Sequence, residues 1–196
     1  MPKAYQPNDA WSKKAQAEGY RARSVYKLIE LDERLRLLKP GMTVIDLGAA
    51  PGSWLQYVSK RIGEKGKAVG IDLAEIKPIG SNVITIEHDI LDLEGLRKKF
   101  AGLGIDRADL VLSDSAPSTS GIRDIDQWQS IELALAAVSV GEAMLGIRGR
   151  CVIKVLRGAD FDEAFCRWKR TWSKASIMRV KATRDRSNEV YVVLQK

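Results

Sequence analysis

Four charged side chains stand in or beside otherwise apolar runs. Lys154 lies inside Val152-Ile153-Lys154-Val155-Leu156, an otherwise apolar run, and Lys27 interrupts the apolar spacing of Val25, Leu28, Ile29 and Leu31. A lysine in such a setting is expensive unless it is paired. Asp114 follows a short apolar run in Leu112-Ser113-Asp114-Ser115-Ala116-Pro117, and Glu189 opens onto Val190-Tyr191. Taken singly, Asp114 reads as a strand-end cap and Glu189 as a sheet-edge acid. Gathered in one crevice, two amines and two carboxylates would move a proton or stabilise an oxyanion.

A second group could hold a ligand. Asp46-Leu47-Gly48-Ala49-Ala50-Pro51-Gly52 is a small, glycine-rich segment after a β-branched run. Its glycines are four apart and Pro51 removes a backbone donor, so it is neither a GxGxxG dinucleotide loop nor a Gly-Lys-Ser/Thr phosphate loop. Asp72 and Asp89 close the next two apolar runs. Asp72 suits ribose hydroxyls, as an acid after the second strand does in dinucleotide folds, and Asp89 suits an adenine amine. Several carboxylates repel a pyrophosphate and tolerate a sulfonium. The ligand that fits these residue types is S-adenosylmethionine.

The elements that must position these groups alternate. Helical spacing marks Ser24 to Leu38, stopped by Lys39-Pro40-Gly41, and then Ser53 to Arg61, Leu93 to Phe100, Gln127 to Leu145 and Phe161 to Trp172. Strands are expected at Thr43–Leu47, Ala68–Ile71, Val83–Glu87, Leu110–Leu112, Cys151–Leu156, Ile177–Val180 and Val190–Leu194. Alternation of this kind predicts an α/β fold with a mostly parallel, doubly wound sheet, its ligands at the carboxyl ends of the strands. The chain of 196 residues reads as one domain, with a basic arm over 1–23 and a core over 24–196.

Composition narrows the function. The apolar stretch Ile131 to Ile147 is broken by Glu132 and Glu142, so no membrane span is expected. No signal-peptide pattern opens the chain. Cys151 and Cys166 read as two buried thiols, and a lone His88, read as a strand-end surface residue, excludes a two-histidine metal site. A cytoplasmic protein without a metal is the expectation. The net charge is +7, and the window Arg167 to Arg186 holds eight basic residues against Asp185 alone. A smaller excess, from Lys3 to Lys27, marks the start. Two basic tracts favour a polyanion, with phosphate contacts expected from Lys13, Arg21, Arg23 and Arg179.

Lys27, Asp114, Lys154 and Glu189, in that order, resemble the K-D-K-E tetrad of RNA ribose 2′-O-methyltransferases. Ser24-Val25-Tyr26-Lys27-Leu28, Asp46 to Trp54, Ser113 to Pro117 and Arg186 to Tyr191 are similar to the FtsJ/RrmJ (RlmE) family over nearly the whole chain. The resemblance implies a Rossmann-like, S-adenosylmethionine-dependent fold of seven strands with a final antiparallel strand. It also implies methylation of a uridine ribose in the A-loop of 23S rRNA, within the large ribosomal subunit, by a monomeric enzyme. Carried over by position, Gly52, Trp54, Asp72, Asp89 and Asp114 would bind S-adenosylmethionine and its product S-adenosyl-L-homocysteine. Ser53 stands where the family commonly has glycine.

By the same resemblance, Lys154 would accept the hydroxyl proton while Lys27 keeps its charge, with Asp114 and Glu189 fixing both. An ordinary lysine titrates near pKa 10.4, so a neutral lysine amine at pH 7 costs about 4–5 kcal/mol. The other role for Lys154 is an ammonium that stabilises the oxyanion. Two rival functions are a tRNA anticodon-loop ribose methyltransferase, with the same tetrad, and a non-catalytic RNA-binding module, which needs no tetrad. A small-molecule methyltransferase fits the basic tracts and the lysine pair poorly.

Overall fold

The computed structural model describes residues 10–117, 121–183 and 188–196. Helices α1 (Ala10–Ala17), α2 (Val25–Leu35), α3 (Ser53–Ile62), α4 (Leu93–Gly102), α5 (Arg123–Met144) and α6 (Phe161–Thr171) enclose a sheet. Its strands are β1 (Thr43–Leu47), β2 (Lys67–Asp72), β3 (Val83–Glu87), β4 (Ala108–Ser113), β5 (Leu145–Leu156), β6 (Lys174–Met178) and β7 (Glu189–Gln195). They lie in the order β3-β2-β1-β4-β5-β7-β6. Every pair is parallel except those made by β7, which runs antiparallel to β5 and to β6. The order reverses between β1 and β4, which sets the switch point where such sheets bind ligands.

Strands buried on both faces divide the core in two. Ile45, Val69, Val111, Ile153 and Val192 pack with α4, α5 and α6, whereas Val44, Ala68, Leu112, Val152 and Val193 pack with α2 and α3. Phe161, Trp168 and Trp172, spaced along α6, are buried as their spacing predicts.

Several boundaries depart from the sequence expectation. Helix α2 stops at Leu35, before Lys39-Pro40-Gly41, because Arg36 turns left-handed at φ 49°. Arg150 donates to the carbonyls of Leu35, Arg36 and Leu37 at 2.9, 2.7 and 3.3 Å, and Asp32 accepts the Leu38 N–H at 2.8 Å. A cation at a helix C-terminus satisfies carbonyls that otherwise lack partners. The basic arm contains a helix, α1, whose Trp11 packs on Tyr26 at 5.0 Å between ring centroids. Strand β6 begins at Lys174 rather than Ile177, an edge strand whose polar residues hide it from a hydropathy reading. Cys151 is buried but Cys166 is exposed, correcting the expectation of two buried thiols. Among the described residues no helix is long and apolar enough to cross a membrane.

Candidate active site

Side chains alternate across a strand, so parity decides what can meet. Asp46, Asp72, Lys154, Glu189 and Tyr191 share parity with the strand residues that pack toward α2 and α3. Asp114 continues the parity of Leu110 and Leu112 past the end of β4. Lys27 sits in the first turns of α2, on that side of the sheet. One face of the carboxyl edge therefore collects every group expected to do chemistry.

Both lysines reach the same carboxylate oxygen. Lys154 Nζ lies 3.2 Å from Asp114 Oδ1 and also donates to the Asp114 carbonyl, while Lys27 Nζ lies 4.0 Å from the same Oδ1. Lys27 pairs most closely with Glu189 Oε1, at 2.6 Å, and Thr183 Oγ1 donates to that oxygen at 3.0 Å. Lys154 is only 7% exposed, so its pairing is the condition of its burial. Tyr191 lies beneath the cluster and donates from its hydroxyl to Asp114 Oδ1 at 2.8 Å. Burial first, then the negative charges of Asp114 and Glu189, hold the Tyr191 phenol far above its ordinary value. It is thus a fixed donor, and it turns Asp114 toward Lys154.

Beside this cluster the strand tips enclose a cavity of about 370 Å³, lined by Gly48, Asp72, Asp89 and Asp114 with Leu73, Ile90 and Leu133 among the apolar groups. Asp72 accepts the N–H groups of Ala50 and Ala74, each at 2.9 Å, and so shapes the loop as well as the pocket. Asp89 accepts the Leu91 N–H at 2.9 Å. A side pocket of about 50 Å³ opens on Ser24, Asp46, Ser53 and Trp54. Asp46 is 1% exposed, and among the described residues neither of its oxygens has a hydrogen-bond partner. Burial, then the charges of Asp114 and Asp72, push its carboxyl well above the usual range. A buried acceptor without a donor marks a place that a cationic ligand group would complete. The set of acceptors fits a nucleoside that carries positive charge and no phosphate.

The FtsJ-like methyltransferase family matches this chain over residues 20–196. The chain belongs to that family. A "Ribosomal RNA large subunit methyltransferase E" from Pelagibacter ubique is 40% identical over 188 residues, covering 96% of this chain and 91% of the relative. The protein so named in Xanthomonas campestris pv. campestris is 43% identical over 187 residues, covering 95% of this chain and 89% of its own. A crystal structure of a Plasmodium falciparum protein, described as a ribosomal RNA methyltransferase, superposes with a TM-score of 0.79 at 30% identity. It covers 90% of this chain and 97% of its own. The chain is therefore a methyltransferase.

Within this FtsJ-like site, the four tetrad residues meet, and Asp72, Asp89 and Asp114 line the main cavity. Two residues expected at the cofactor, Gly52 and Trp54, do not line the main cavity. Trp54 is 2% exposed and spends its indole N–H on the Ser24 carbonyl at 2.8 Å, although it lines the side pocket. Gly52 adopts φ 101° at the start of α3, and a Cβ there would stand 2.9 Å from Arg21 Nη1 and from Ile79 Cδ1. The left-handed φ is the main reason for glycine at 52, and the close approach adds to it. Ser53 fits without distortion, its hydroxyl 2.9 Å from that of Ser24.

Tyr191 and Asp46 were missed as site residues. Tyr191 is two residues beyond Glu189 on the same strand face, a readable signal. Asp46 is an acid inside the run Thr43–Leu47, the same anomaly that exposed Lys154. His88 follows β3 as expected, but it borders the main cavity. The phosphate contacts divide. Lys13 and Arg179 are exposed, whereas Arg21 donates to three carbonyls and Arg23 reaches the Ala182 carbonyl at 3.5 Å. Arg184 and Arg186 lie outside the described residues.

Proposed function

We propose that this chain transfers a methyl group from S-adenosylmethionine to a ribose 2′-hydroxyl of ribosomal RNA, at the A-loop uridine of 23S rRNA in the large subunit. The observation that carries the reading is the sharing of Asp114 Oδ1 by Lys27 and Lys154 at the mouth of an acid-lined nucleoside cavity. The names of the relatives support ribosomal RNA as the substrate.

Asp72 and Asp89 suit the ribose and adenine of the donor, and Asp46, with no partner of its own, suits the ammonium of its amino-acid tail. When bound, the donor supplies an electrophilic methyl on a sulfonium. In the transfer an oxygen–carbon bond forms as the sulfur–carbon bond breaks, and the hydroxyl proton passes to a Lys154 amine or, where Lys154 is an ammonium, to solvent. Lys154 is the residue placed to handle that hydroxyl: as an amine it accepts the proton, and as an ammonium it stabilises the developing oxyanion. Its two acceptors on Asp114 hold its Nζ in place at the mouth of the cavity. Lys27, held by Glu189, keeps a positive charge at the same oxygen.

A second cleft, of about 530 Å³, lies between the start of α5 and the end of β5, lined by Arg123, Asp126 and Gln127 with Leu156 and with Asn188, the neighbour of Glu189 in sequence. Its mixture of donors and acceptors suits nucleotides flanking the target ribose.

The test is ribose-methylation mapping of ribosomal RNA by mass spectrometry with and without the protein, followed by methylation of purified large subunits against bulk tRNA. Labelling confined to tRNA overturns the substrate. Lys154→Arg separates the two lysine roles, since arginine keeps the charge but is no practical base. Substantial residual turnover in that variant rules out proton acceptance.

A further inference from the structure

The residues joining α1 to α2 lie along the glycine-rich loop and the first turns of α3, and side chains fasten the two segments together. Gln56 accepts the Arg21 backbone N–H at 2.9 Å and donates to the Gly19 carbonyl at 3.0 Å. Trp54 donates to the Ser24 carbonyl at 2.8 Å, and the Ser24 and Ser53 hydroxyls meet at 2.9 Å. The Arg21 guanidinium completes the set. Its Nη1 donates to the carbonyls of Pro51 and Lys77 at 2.9 and 2.8 Å, and its Nη2 to that of Pro78 at 2.7 Å.

These carbonyls belong to two loops that border the cavity. Pro51 is in the loop after β1, and Lys77 and Pro78 are in the connection from Asp72 to β3. The chain then runs from Arg21 directly into α2, where Lys27 lies six positions on. A planar guanidinium with five fixed donors is the side chain suited to three diverging carbonyls, and an ammonium is not. A Cβ at Gly52 would stand 2.9 Å from Arg21 Nη1, so the guanidinium lies directly against the glycine-rich loop. A guanidinium so committed has little left for a phosphate.

We propose that Arg21 is a positioning residue that clasps both walls of the methyl-donor cavity to the helix bearing Lys27, so that filling the cavity and placing Lys27 are coupled. The inference rests on the donor-binding reading given above. Its consequence is that donor or product in the cavity stiffens the segment 19–27, and that Arg21 acts on the donor side of the reaction rather than on RNA phosphates.

The test uses the full chain and its Arg21→Ala and Arg21→Lys variants. Affinity for S-adenosyl-L-homocysteine is measured by calorimetry, amide exchange over 19–27 with and without that ligand, and RNA affinity as a function of salt. Both variants are expected to bind the ligand about tenfold or more weakly and to lose its protection of 19–27. The salt slope for RNA is expected to match the parent. Arg21→Lys guards against misfolding, because it preserves the charge and still breaks the fork. If Arg21→Ala leaves ligand affinity and protection intact, or lowers the salt slope by about one while Arg21→Lys restores it, Arg21 is a phosphate contact and the clasp is refuted. If the parent chain binds no S-adenosyl-L-homocysteine, the donor-site reading falls and the coupling with it. The two failures are thereby distinct.

Discussion

Asp46 is a carboxyl group with 1% exposure and, among the described residues, no donor to either oxygen, so desolvation and then the negative charges of Asp114 and Asp72 oppose its ionised form. Asp46→Asn removes that charge at nearly constant volume. The sign follows from the direction of the shift. A folded-state pKa raised above the unfolded value, about 3.9, means that the native chain binds more protons over the interval between the two. Stability is therefore full below about pH 4 and falls as pH rises toward the raised value, by about 1.4 kcal/mol per pH unit. Asp46→Asn loses this slope and gains relative to the parent as pH rises. Ligand binding has the opposite trend. A cationic group at Asp46 favours the carboxylate, so affinity for S-adenosyl-L-homocysteine climbs with pH, and binding releases a proton. Loss of a charge-assisted bond should weaken the ligand by roughly 10- to 100-fold in Asp46→Asn. Urea unfolding from pH 5 to 8, and calorimetry in buffers of different ionisation enthalpy, measure both effects. Equal affinity with the same proton release in Asp46→Asn would refute the assignment of Asp46 to the ligand.

Three further outcomes are expected. Tyr191→Phe deletes the 2.8 Å bond to Asp114 Oδ1 and should lower turnover roughly 10- to 100-fold while ligand affinity holds; unchanged turnover would remove Tyr191 from the site. Arg150→Ala strips the donors from the Leu35, Arg36 and Leu37 carbonyls and should cost about 2–3 kcal/mol in urea unfolding. A thiol reagent should titrate one cysteine in the native protein, the exposed Cys166, and two after denaturation. Burial both encloses the Cys151 thiol and raises its pKa, so two fast native thiols would contradict the packing of β5 on α5.

The readable part of the fold was the part that pays for itself locally. Central β1 is buried on both faces, so Thr43–Leu47 appears as a short run with the limits found in the structure, and the β-branched run Val83–Glu87 has its observed limits although it forms a half-buried edge strand. The edge strand β6 buries little and was displaced by three residues at its start. The end of α2 depended on Arg150, more than a hundred residues away, which no local spacing announces. The same division holds at the site. Lys154 was conspicuous because a strand makes a lone charge expensive, but Arg21 was read as one more surface cation. Its role lies in three carbonyls from two distant loops, and only the folded chain brings them together.

The direction of β7 explains why the cluster exists at all. β5 runs toward the carboxyl edge and delivers Lys154 two residues before its end. β7 pairs with it antiparallel, with Lys154 opposite Tyr191 and Leu156 opposite Glu189, so the first residues of β7 arrive at that same edge. In a parallel arrangement Glu189 would enter the sheet at the opposite edge, and Lys27 would lose its 2.6 Å partner. A shift of one residue in this pairing would be as damaging, because it turns Glu189 and Tyr191 together to the face of α5 and α6. The alternation of Val190, Val192 and Leu194 into the core on that face fixes the register. Hydrophobic burial of Val190, Val192 and Leu194 on one face of β7 thus sets the position of Glu189 and of the Tyr191 hydroxyl on the other.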